Sequence, residues 1–466
     1  MIVATRADRI CAWTGGSLLA GAADRIARGT RIDSREVGPE ELFVAIVGPN
    51  HDAHRFVPEV LARGVAGVLV QRGRCDETLV PGRAFVIEVD DTTRALGDLG
   101  RGHRGDYAGP LVGITGSNGK TTTKELCTAI LEGVGPTLST RGNLNNNFGV
   151  PLTLLRRREE DVFAVVEMGM NHRHEIEALC RIALPTIGIL TNVGTAHIEN
   201  LGSREAIAEE KGDLLASLPA SGTAVVGRDE PLAFGQARRT RARVLSFGRD
   251  ARAELCASAI RFLDEGAFVF RLETPFGRGE IRVPGLAETM IENSLAAAGG
   301  ALAAGASFEA VATGLARYAG VPGRMQPRTL RGGLLALDDT YNANPQSMKS
   351  ALETLARLEQ KGRRIAVLGR MGELGDHAEA AHLELGRLTA TLGIDELFVL
   401  GQGAVKIAQG AREAGLPDGR VHFEETAAAL AEQLARRTGA GDRVLFKGSR
   451  SARVEKVIEA LEEVDR

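Results

Sequence analysis

Cysteine and aromatic side chains are scarce in this sequence of 466 residues, whereas glycine is plentiful. The chain has five cysteines and no CxxC pair. An odd number without metal-ligand spacing fits reduced thiols inside a cell better than a disulfide framework or a zinc site. Aromatic residues make up only 4%, and glycines number 57. This combination favours the tight turns and close backbone approaches of nucleotide-binding α/β chains.

An excess of charge of one sign is also lacking. Lys and Arg number 57 and Asp and Glu number 60, so the formal net charge is −3. This balance argues against nucleic acid or an anionic membrane surface as the main partner. No stretch approaches the ~18 apolar residues of a membrane span, and the apolar run 18–23 is too short for a secretory signal. We therefore expect a cytoplasmic enzyme without an integral membrane segment and without a nucleic-acid partner.

Short apolar strands alternate with amphipathic helices along almost the whole chain. This alternation predicts an α/β fold built on largely parallel sheets. The predicted strands lie at 42–46, 67–70, 84–87, 111–114, 162–166, 186–190, 223–226, 334–337, 365–368, 397–400 and 444–446.

The length of the chain favours about three domains at ~150 residues each. A stretch rich in Gly and Arg at 100–110 is the first predicted linker, and Pro322 and Gly323 break a helical run at the second boundary. The predicted domains are a smaller α/β domain at 1–109, a central α/β domain at 110–322 and a third α/β domain at 323–466.

The string LVGITGSNGKTTTKE runs from a strand through a glycine turn into a helix. Gly116 and Gly119 allow backbone N–H groups to surround phosphate oxygens at the positive end of the helix. Lys120 supplies a charge for the β- and γ-phosphates, and the Thr121 hydroxyl can hold Mg²⁺. Ile114 stands where the generic GxxxxGK[ST] pattern has its first glycine. A bare glycine turn is the alternative, but the strand, turn, GKT and helix together favour phosphate binding.

Two further polar residues are predicted at the same sheet edge. Glu167 ends a buried strand, and His197 follows the end of the next strand. Alone, Glu167 could be a solvated carboxylate and His197 a hydrogen-bonded packing residue. Beside a phosphate loop, the two side chains together favour a metal site. We take His172 and His174 as loop residues, because no carboxylate spacing supports a second site.

Two other segments have ordinary structural interpretations. By periodicity alone, Lys211 on its predicted helix is a surface charge. The turn DDTYNANP follows a predicted strand, and its Asp, Asn and Pro residues are typical of the start of a helix. Spacing alone assigns neither segment a function.

Eight strings occur in order along the chain and together resemble the Mur ligases. They are ITGSNGKTTTKE, GNLNNNFGVP, VVEMGMNH, TNVGTAHIE, EEKGDLL, GRMQ, DDTYNANPQSM and KGSRS. The resemblance extends over nearly the whole chain, and YNANP is the most discriminating string. It implies a UDP-binding N-terminal domain, a central ATPase domain and a Rossmann-like C-terminal domain.

The resemblance also implies roles for individual residues. The nucleotide would be bound by Gly116, Ser117, Asn118, Gly119, Lys120, Thr121, Thr122, Asn293, Arg324 and Asp339. Catalytic roles fall to Lys120, Glu167, His197, Lys211 and Arg324, and metal ligation falls to Thr121, Glu167, His197 and Lys211. Substrate contacts fall to Asp33, Ser34 and Arg35 at the uridine diphosphate, to Asn145 and Asn146 at the muramoyl group, and to Lys447, Ser449 and Arg450.

Within this family, the strings resemble the members that join D-alanyl-D-alanine to UDP-N-acetylmuramoyl-tripeptide through an acyl phosphate. The implied cofactors are ATP and two Mg²⁺ ions, with Lys211 carbamylated so that it becomes a carboxylate-like ligand. In such an enzyme Arg324 would contact the γ-phosphate and Asp339 the ribose. We expect a monomer acting on small molecules. The strings leave open whether the third residue of the acceptor is meso-diaminopimelate or lysine.

The chain departs from the family pattern in two places. The segment before Asn293 lacks the usual Gly-x-His and is longer, so the contact to adenine is not assigned. Arg370 stands where aspartate is common, and we assign its loop no role.

Three alternative functions share some of these features. The diamino-acid-adding Mur ligase and folylpolyglutamate synthase share the GKT loop. The DNPR string of the former is absent here, and the latter has no need of a separate uridine-binding domain. A P-loop switch or transport ATPase requires a strand that ends in aspartate, whereas this strand ends in Glu167.

Overall fold

The computed structural model describes residues 1–75, 82–359 and 361–463. The first region of the chain forms a five-stranded sheet and a separate antiparallel strand pair. Its elements are β1 (Ala4–Arg6), α1 (Ala7–Thr14), β2 (Ser17–Ala20), β3 (Ile26–Arg28), β4 (Thr30–Arg31), β5 (Leu42–Val44), α2 (Val57–Ala62), β6 (Gly67–Gln71), β7 (Phe85–Val89) and α3 (Thr92–Gly105). The sheet order is β2-β7-β6-β5-β4, with only β2 antiparallel to its neighbour.

The central region forms a nine-stranded sheet. Its first elements are β8 (Leu111–Thr115), α4 (Lys120–Glu132), β9 (Thr137–Ser139), α5 (Gly149–Leu154), β10 (Phe163–Glu167), α6 (Glu175–Ala183), β11 (Ile187–Leu190), α7 (Ile198–Leu201), α8 (Arg204–Ala216), β12 (Thr223–Gly227), α9 (Pro231–Phe234) and β13 (Arg243–Gly248). It continues with β14 (Leu255–Leu263), β15 (Ala267–Thr274), β16 (Gly277–Pro284), α10 (Met290–Ala303) and α11 (Phe308–Ala316). The order is β16-β15-β14-β13-β12-β11-β8-β10-β9.

The middle strands of this sheet are parallel and buried on both faces. β8, β10 and β11 read LVGIT, FAVVE and IGIL, the near-continuous apolar runs expected of such strands. Helices α4, α10 and α11 cover one face, and α5, α6 and α8 cover the other. The chain visits β10 on one side of β8 and then crosses to β11 on the other. The carboxyl ends of these strands therefore flank a topological switch point, where open α/β sheets bind ligands.

The third region forms a six-stranded sheet with the order β17-β18-β22-β19-β20-β21. Its elements are β17 (Gln326–Thr329), β18 (Leu335–Asp339), α12 (Pro345–Arg357), β19 (Arg364–Gly369), α13 (Ala378–Thr391), β20 (Glu396–Leu400), α14 (Val405–Glu413), β21 (Val421–Glu424), α15 (Ala427–Arg437), β22 (Arg443–Lys447) and α16 (Glu455–Glu463). All its pairings are parallel except that of β17. Helices on both faces give it the layered form of a doubly wound fold.

The structure confirms the α/β fold class, and each predicted strand appears with small shifts at its ends. The predicted linker at 100–110 is wrong in its first half, because α3 continues to Gly105. A β-carbon at Gly100 would lie 2.7 Å from the Pro151 Cβ. Gly100 therefore permits close packing of α3 on α5 and does not form a flexible linker. The domain limits after 109 and 322 stay predictions.

The antiparallel strands β14, β15 and β16 were not predicted from the sequence, and they extend the central sheet on its β13 side. Across the described ranges, no helix combines the length and the apolar character needed to span a bilayer.

Candidate active site

A cavity of about 950 Å³ lies between the carboxyl edge of the central sheet and the third region. Most of the residues predicted for the site line it, and they come from both regions. They are Ser117, Asn118, Gly119, Lys120, Thr121, Thr122, Asn145, Asn146, Glu167, His197, Asn293, Arg324, Asp339 and Lys447.

The glycine turn between β8 and α4 has a conformation that depends on its two glycines. Gly116 has φ +153° and Gly119 has φ +79°. A β-carbon would lie 1.9 Å from the Thr191 Oγ1 at the first position and 2.2 Å from the Asn293 Oδ1 at the second. Both distances are far inside van der Waals contact, so only glycine fits. The bare-turn interpretation does not explain why two neighbouring elements pack so closely onto this loop.

The residues that follow β11 hold the loop in place. The Asn118 N–H donates to the Asn192 Oδ1 over 2.9 Å, and the Thr191 hydroxyl donates to the Asn118 carbonyl over 2.7 Å. The Gly194 N–H donates to the Ser117 Oγ over 2.8 Å. The loop is therefore shaped before any phosphate binds, which lowers the entropy lost on binding.

Lys120 is the first residue of α4, and its side chain turns back over the loop. Its Nζ donates to the Gly116 carbonyl over 2.7 Å. Burial lowers the pKa of this amine, while the charge of Glu167 raises it and that of Arg324 lowers it. A bound triphosphate would add negative charge beside this partly buried cation.

Glu167 ends β10 as predicted, and it is almost completely buried. The Thr121 hydroxyl donates to its Oε2 over 3.0 Å, and the Asn145 amide donates to its Oε1 over 2.8 Å. The Arg324 Nη2 lies 3.4 Å from the same Thr121 hydroxyl. A hydroxyl and a carboxylate at this separation are the hard oxygen donors that Mg²⁺ prefers.

His197 lies at the same edge, directly before α7, and its backbone is left-handed with φ 65°. Its Nδ1 lies 2.6 Å from the Oε2 of Glu373, which belongs to the loop after β19. Among the described residues, no three His, Cys, Asp or Glu side chains form a group that could hold a metal. Three of the predicted metal ligands, Thr121, Glu167 and His197, thus line one cleft without forming a complete cage.

The interpretation of Lys211 as a surface charge is wrong. Its side chain is 1% exposed, because α8 is buried on several sides rather than along one stripe. Burial lowers the pKa of its amine well below the usual value, and the nearby charge of Lys120 lowers it further. The nearby charge of Glu210 acts in the opposite direction and raises this pKa. Lys211 is close to the cavity without lining it.

Side chains of the third region reach across the cavity to the phosphate loop. Arg324 stacks on the Tyr341 ring at 4.1 Å, which orients its guanidinium. The Asn344 amide donates to the Asn118 Oδ1 over 2.7 Å, and the Thr195 hydroxyl donates to the Gln346 Oε1 over 2.9 Å.

The YNANP segment has both a structural and a site role. Asn344 caps α12 by accepting from the Ser347 N–H, with Pro345 as the first helical residue, as the turn composition predicts. The same asparagine contacts the phosphate loop. Sequence reasoning missed this contact, and the only signal for it was the discriminating string itself.

Asp339 and a buried Lys447 form an ion pair that lines the cavity from the third region. The Lys447 Nζ donates to the Asp339 Oδ2 over 2.6 Å and to the Asn342 carbonyl over 3.1 Å. Burial lowers the pKa of Lys447, while Asp339 raises it. The structure therefore pairs Asp339, which was predicted to contact the ribose, with Lys447, which was predicted to contact the substrate.

Five predicted substrate residues lie away from this cavity: Asp33, Ser34, Arg35, Ser449 and Arg450. Arg35 is highly exposed and donates to Asp33 over 2.6 Å, and this bond lowers the pKa of the carboxyl to about 2. The Ser449 N–H donates to the Arg370 carbonyl over 2.9 Å. Arg450 lies 3.4 Å from Glu455 at the surface.

The segment before Asn293, which departs from the family pattern, is tied to its surroundings by ion pairs. Arg249 lies 2.5 Å from Glu288 and 2.7 Å from Glu292. Glu288 also lies 3.1 Å from Arg357 of α12. This segment thus connects the central sheet to the third region beside the cavity.

Comparison with known proteins gives consistent matches over most of the chain. Residues 114–301 match the Mur ligase middle domain, and residues 323–450 match the Mur ligase glutamate ligase domain. The chain is 37% identical to the UDP-N-acetylmuramoyl-tripeptide--D-alanyl-D-alanine ligase of Escherichia coli K12, over 92% of this chain and 93% of the relative.

Solved structures agree with these matches. A crystal structure of MurF from Acinetobacter baumannii superposes with a TM-score of 0.89 at 33% identity, covering 99% of both chains. MurF ligase from Thermotoga maritima, solved in complex with ADP, has a TM-score of 0.82 at 30% identity over 94% of this chain and 97% of the other.

Proposed function

This chain belongs to the Mur ligases, and from that premise we propose that it uses ATP to join D-alanyl-D-alanine to UDP-N-acetylmuramoyl-tripeptide. The products are UDP-N-acetylmuramoyl-pentapeptide, ADP and phosphate. This reaction supplies the pentapeptide precursor of peptidoglycan.

One observation carries the proposal, namely the surroundings of the Thr121 hydroxyl. It lies 3.0 Å from the Glu167 carboxylate of the central sheet and 3.4 Å from the Arg324 guanidinium beside the third sheet. Thr121 follows the phosphate-loop lysine, so a strand-end carboxylate and an arginine from across the cleft meet where the end of a triphosphate would bind. This arrangement supports phosphoryl transfer between two substrates held by different regions.

The reaction must activate a carboxylate, which is a poor electrophile. Attack of a carboxylate oxygen on the γ-phosphorus releases ADP and gives an acyl phosphate. The amine of D-alanyl-D-alanine then attacks the acyl carbon, loses a proton and displaces phosphate. The obstacle is the approach of two anions, and Lys120 and Arg324 offset this repulsion. Asn145, which contacts Glu167, is suited to hold the acceptor near the same point.

Mg²⁺ fits the donors that Thr121 and Glu167 provide, and it would neutralise phosphate charge there. We propose that His197 and a carbamylated Lys211 complete the ligands for Mg²⁺, with two ions in all. The buried amine of Lys211 supports this assignment, because its lowered pKa favours the neutral form that reacts with carbon dioxide. Lys211→Ala should lose activity and regain part of it with added short carboxylates. Unimpaired activity of this variant would dismiss the carbamate.

The remaining assignments complete the proposal. Asn146 would contact the muramoyl group. Lys447 would contact the part of the substrate that lies near the nucleotide. Asp33, Ser34 and Arg35 would bind the uridine diphosphate, which places that end of the substrate outside the main cavity. Ser449 and Arg450 would contact it from the third region. We also propose domains at 1–109, 110–322 and 323–466, a monomeric state and a cytoplasmic location.

The direct test is a mass-spectrometric product assay with ATP, D-alanyl-D-alanine and UDP-N-acetylmuramoyl-tripeptides that carry either meso-diaminopimelate or lysine. The proposal predicts one amide product and phosphate release that requires both acceptor and amine. Phosphate release with neither substrate present would indicate a motor ATPase instead. The proposal fails if nucleotide binds but no amide forms with either acceptor.

A further inference from the structure

The loop after β19, to which the sequence assigns no role, brings a carboxylate to the active-site cleft. Glu373 of this loop lies 2.6 Å from the Nδ1 of His197, and the carboxylate is off the axis of the ring N–H. The Glu199 N–H donates to the Glu373 carbonyl over 3.4 Å, so the backbone of the loop also reaches the start of α7. The pair therefore joins the third region to the end of β11.

Both members of this pair have unusual backbone conformations. His197 has φ 65° and Glu373 has φ 59°, although neither is glycine. A left-handed conformation at such residues is strained and persists only where surrounding contacts hold it. An ion pair with one half-exposed partner contributes little to stability. The pair alone does not offset this strain, which indicates a functional reason for the geometry.

The charge of Glu373 also needs an explanation. This carboxylate is close enough to Lys120 to raise the pKa of the phosphate-loop lysine. A carboxylate near a triphosphate site repels the nucleotide unless a cation or a hydrogen-bond donor faces it. His197 is that neighbour, and its side chain is only 17% exposed.

We propose that Glu373 is a positioning residue: its carboxylate, 2.6 Å from the Nδ1 of His197, aligns with the Nδ1–H and accepts a hydrogen bond from it when the nucleotide and its cation bind, and thereby presents the Nε2 lone pair to the cation at the phosphate site. Carboxylates commonly orient metal-bound histidines in this way. Here the carboxylate comes from a different sheet than the histidine. The metal site is then complete only when the third region closes on the central one. This inference rests on the proposed role of His197 as a metal ligand.

The test uses the full chain with Glu373→Ala and Glu373→Gln. Both variants keep a β-carbon, so the backbone constraint at this position does not change. Asp376→Ala is the matched control, since Asp376 is an exposed acid in the same loop. Two quantities are measured with β,γ-methylene-ATP present: Mn²⁺ affinity by electron paramagnetic resonance, and the ring ¹⁵N shifts of His197, assigned with His197→Gln.

Glu373→Ala should weaken Mn²⁺ binding about 10- to 100-fold and change the tautomer signature of His197. Glu373→Gln, which keeps an acceptor oxygen, should lose less than about 10-fold, and Asp376→Ala should match the wild type. In a His197→Ala background, Glu373→Ala should cause no further loss. Wild-type Mn²⁺ affinity and unchanged ¹⁵N shifts in Glu373→Ala would overturn the inference, as would a full additional loss in the double variant.

These measurements are independent of the ligation product. If the wild type formed no amide while Glu373→Ala still lost Mn²⁺ affinity, the proposed function would fail and the positioning role would stand. If ligation proceeded and the Glu373 variants bound Mn²⁺ normally, only the positioning role would fail.

Discussion

The Asn344 amide donates a hydrogen bond over 2.7 Å to the Asn118 side chain, which joins the start of α12 to the phosphate loop. The two residues belong to the central and the third region and are 226 positions apart in the chain. ATP bound in the loop would therefore contact a structure to which both regions contribute. Closure of the cleft should also exclude water that would otherwise hydrolyse the acyl phosphate.

Replacement of Asn344 should separate its role in closure from its role as a helix cap. Asn344→Ser keeps a capping oxygen but is too short to reach Asn118, so the ATP KM should rise about 3- to 10-fold, as for one lost hydrogen bond. Asn344→Ala should show the same change and lose about 1 kcal/mol of unfolding free energy as well. Steady-state kinetics and urea unfolding distinguish the two effects. An unchanged ATP KM in Asn344→Ser would contradict this role.

Removal of the phosphate-loop lysine should abolish most catalysis without unfolding the protein. Lys120→Ala should reduce the rate on the order of 10³-fold or more, because its cation offsets the charge transferred with the phosphoryl group. Circular dichroism should show a native fold. Lys349→Ala, on the exposed face of α12, is the control and should keep wild-type turnover. Near-normal turnover in folded Lys120→Ala would refute the phosphate assignment.

Alanine substitutions at Gly119 and Gly142 allow the effect of a steric clash to be separated from the effect of backbone strain. Both glycines have positive φ, +79° and +55°, but only Gly119 has a neighbour within 4 Å of an added β-carbon. Gly142→Ala should cost about 1 kcal/mol through backbone strain alone. Gly119→Ala should cost more and weaken binding of an ATP analogue, because it displaces Asn293. Calorimetry of both variants measures these effects, and equal losses of affinity would argue against the clash.

Acid should destabilise the first region through His103. Burial lowers the pKa of this imidazole to about 4, below its usual 6.5. The unfolded chain therefore binds the proton first, so stability falls as the pH drops from about 6.5 to 4, by about 3 kcal/mol in total. His103→Gln does not titrate and should lose correspondingly less stability over this range.

The single tryptophan provides the readout for this experiment. Trp13 packs edge-on against His103 with ring centroids 5.5 Å apart, so its fluorescence reports unfolding at this site. Parallel losses of stability in the wild type and in His103→Gln between pH 7 and 4 would show that His103 does not contribute.

The sequence predicted the parallel strands and the residues at their ends because both depend on local pattern. A buried strand such as FAVVE is an apolar run, and its terminal Glu167 is visible as the first charge. Burial of Lys211 was not visible, since α8 packs on more than one side. Glu373 and its contact with His197 could not be predicted, because the pairing depends on how two sheets are placed in space.

The fate of the acceptor's carboxylate oxygen tests the central claim most directly. UDP-N-acetylmuramoyl-tripeptide labelled with ¹⁸O in the carboxylate that becomes the amide is incubated with ATP and D-alanyl-D-alanine, and the released phosphate is analysed by mass spectrometry. Transfer of the γ-phosphoryl group to this carboxylate leaves one of its oxygens on phosphorus when the amine displaces phosphate. The account predicts phosphate that carries one ¹⁸O atom for each amide formed. Amide formation with unlabelled phosphate would contradict it.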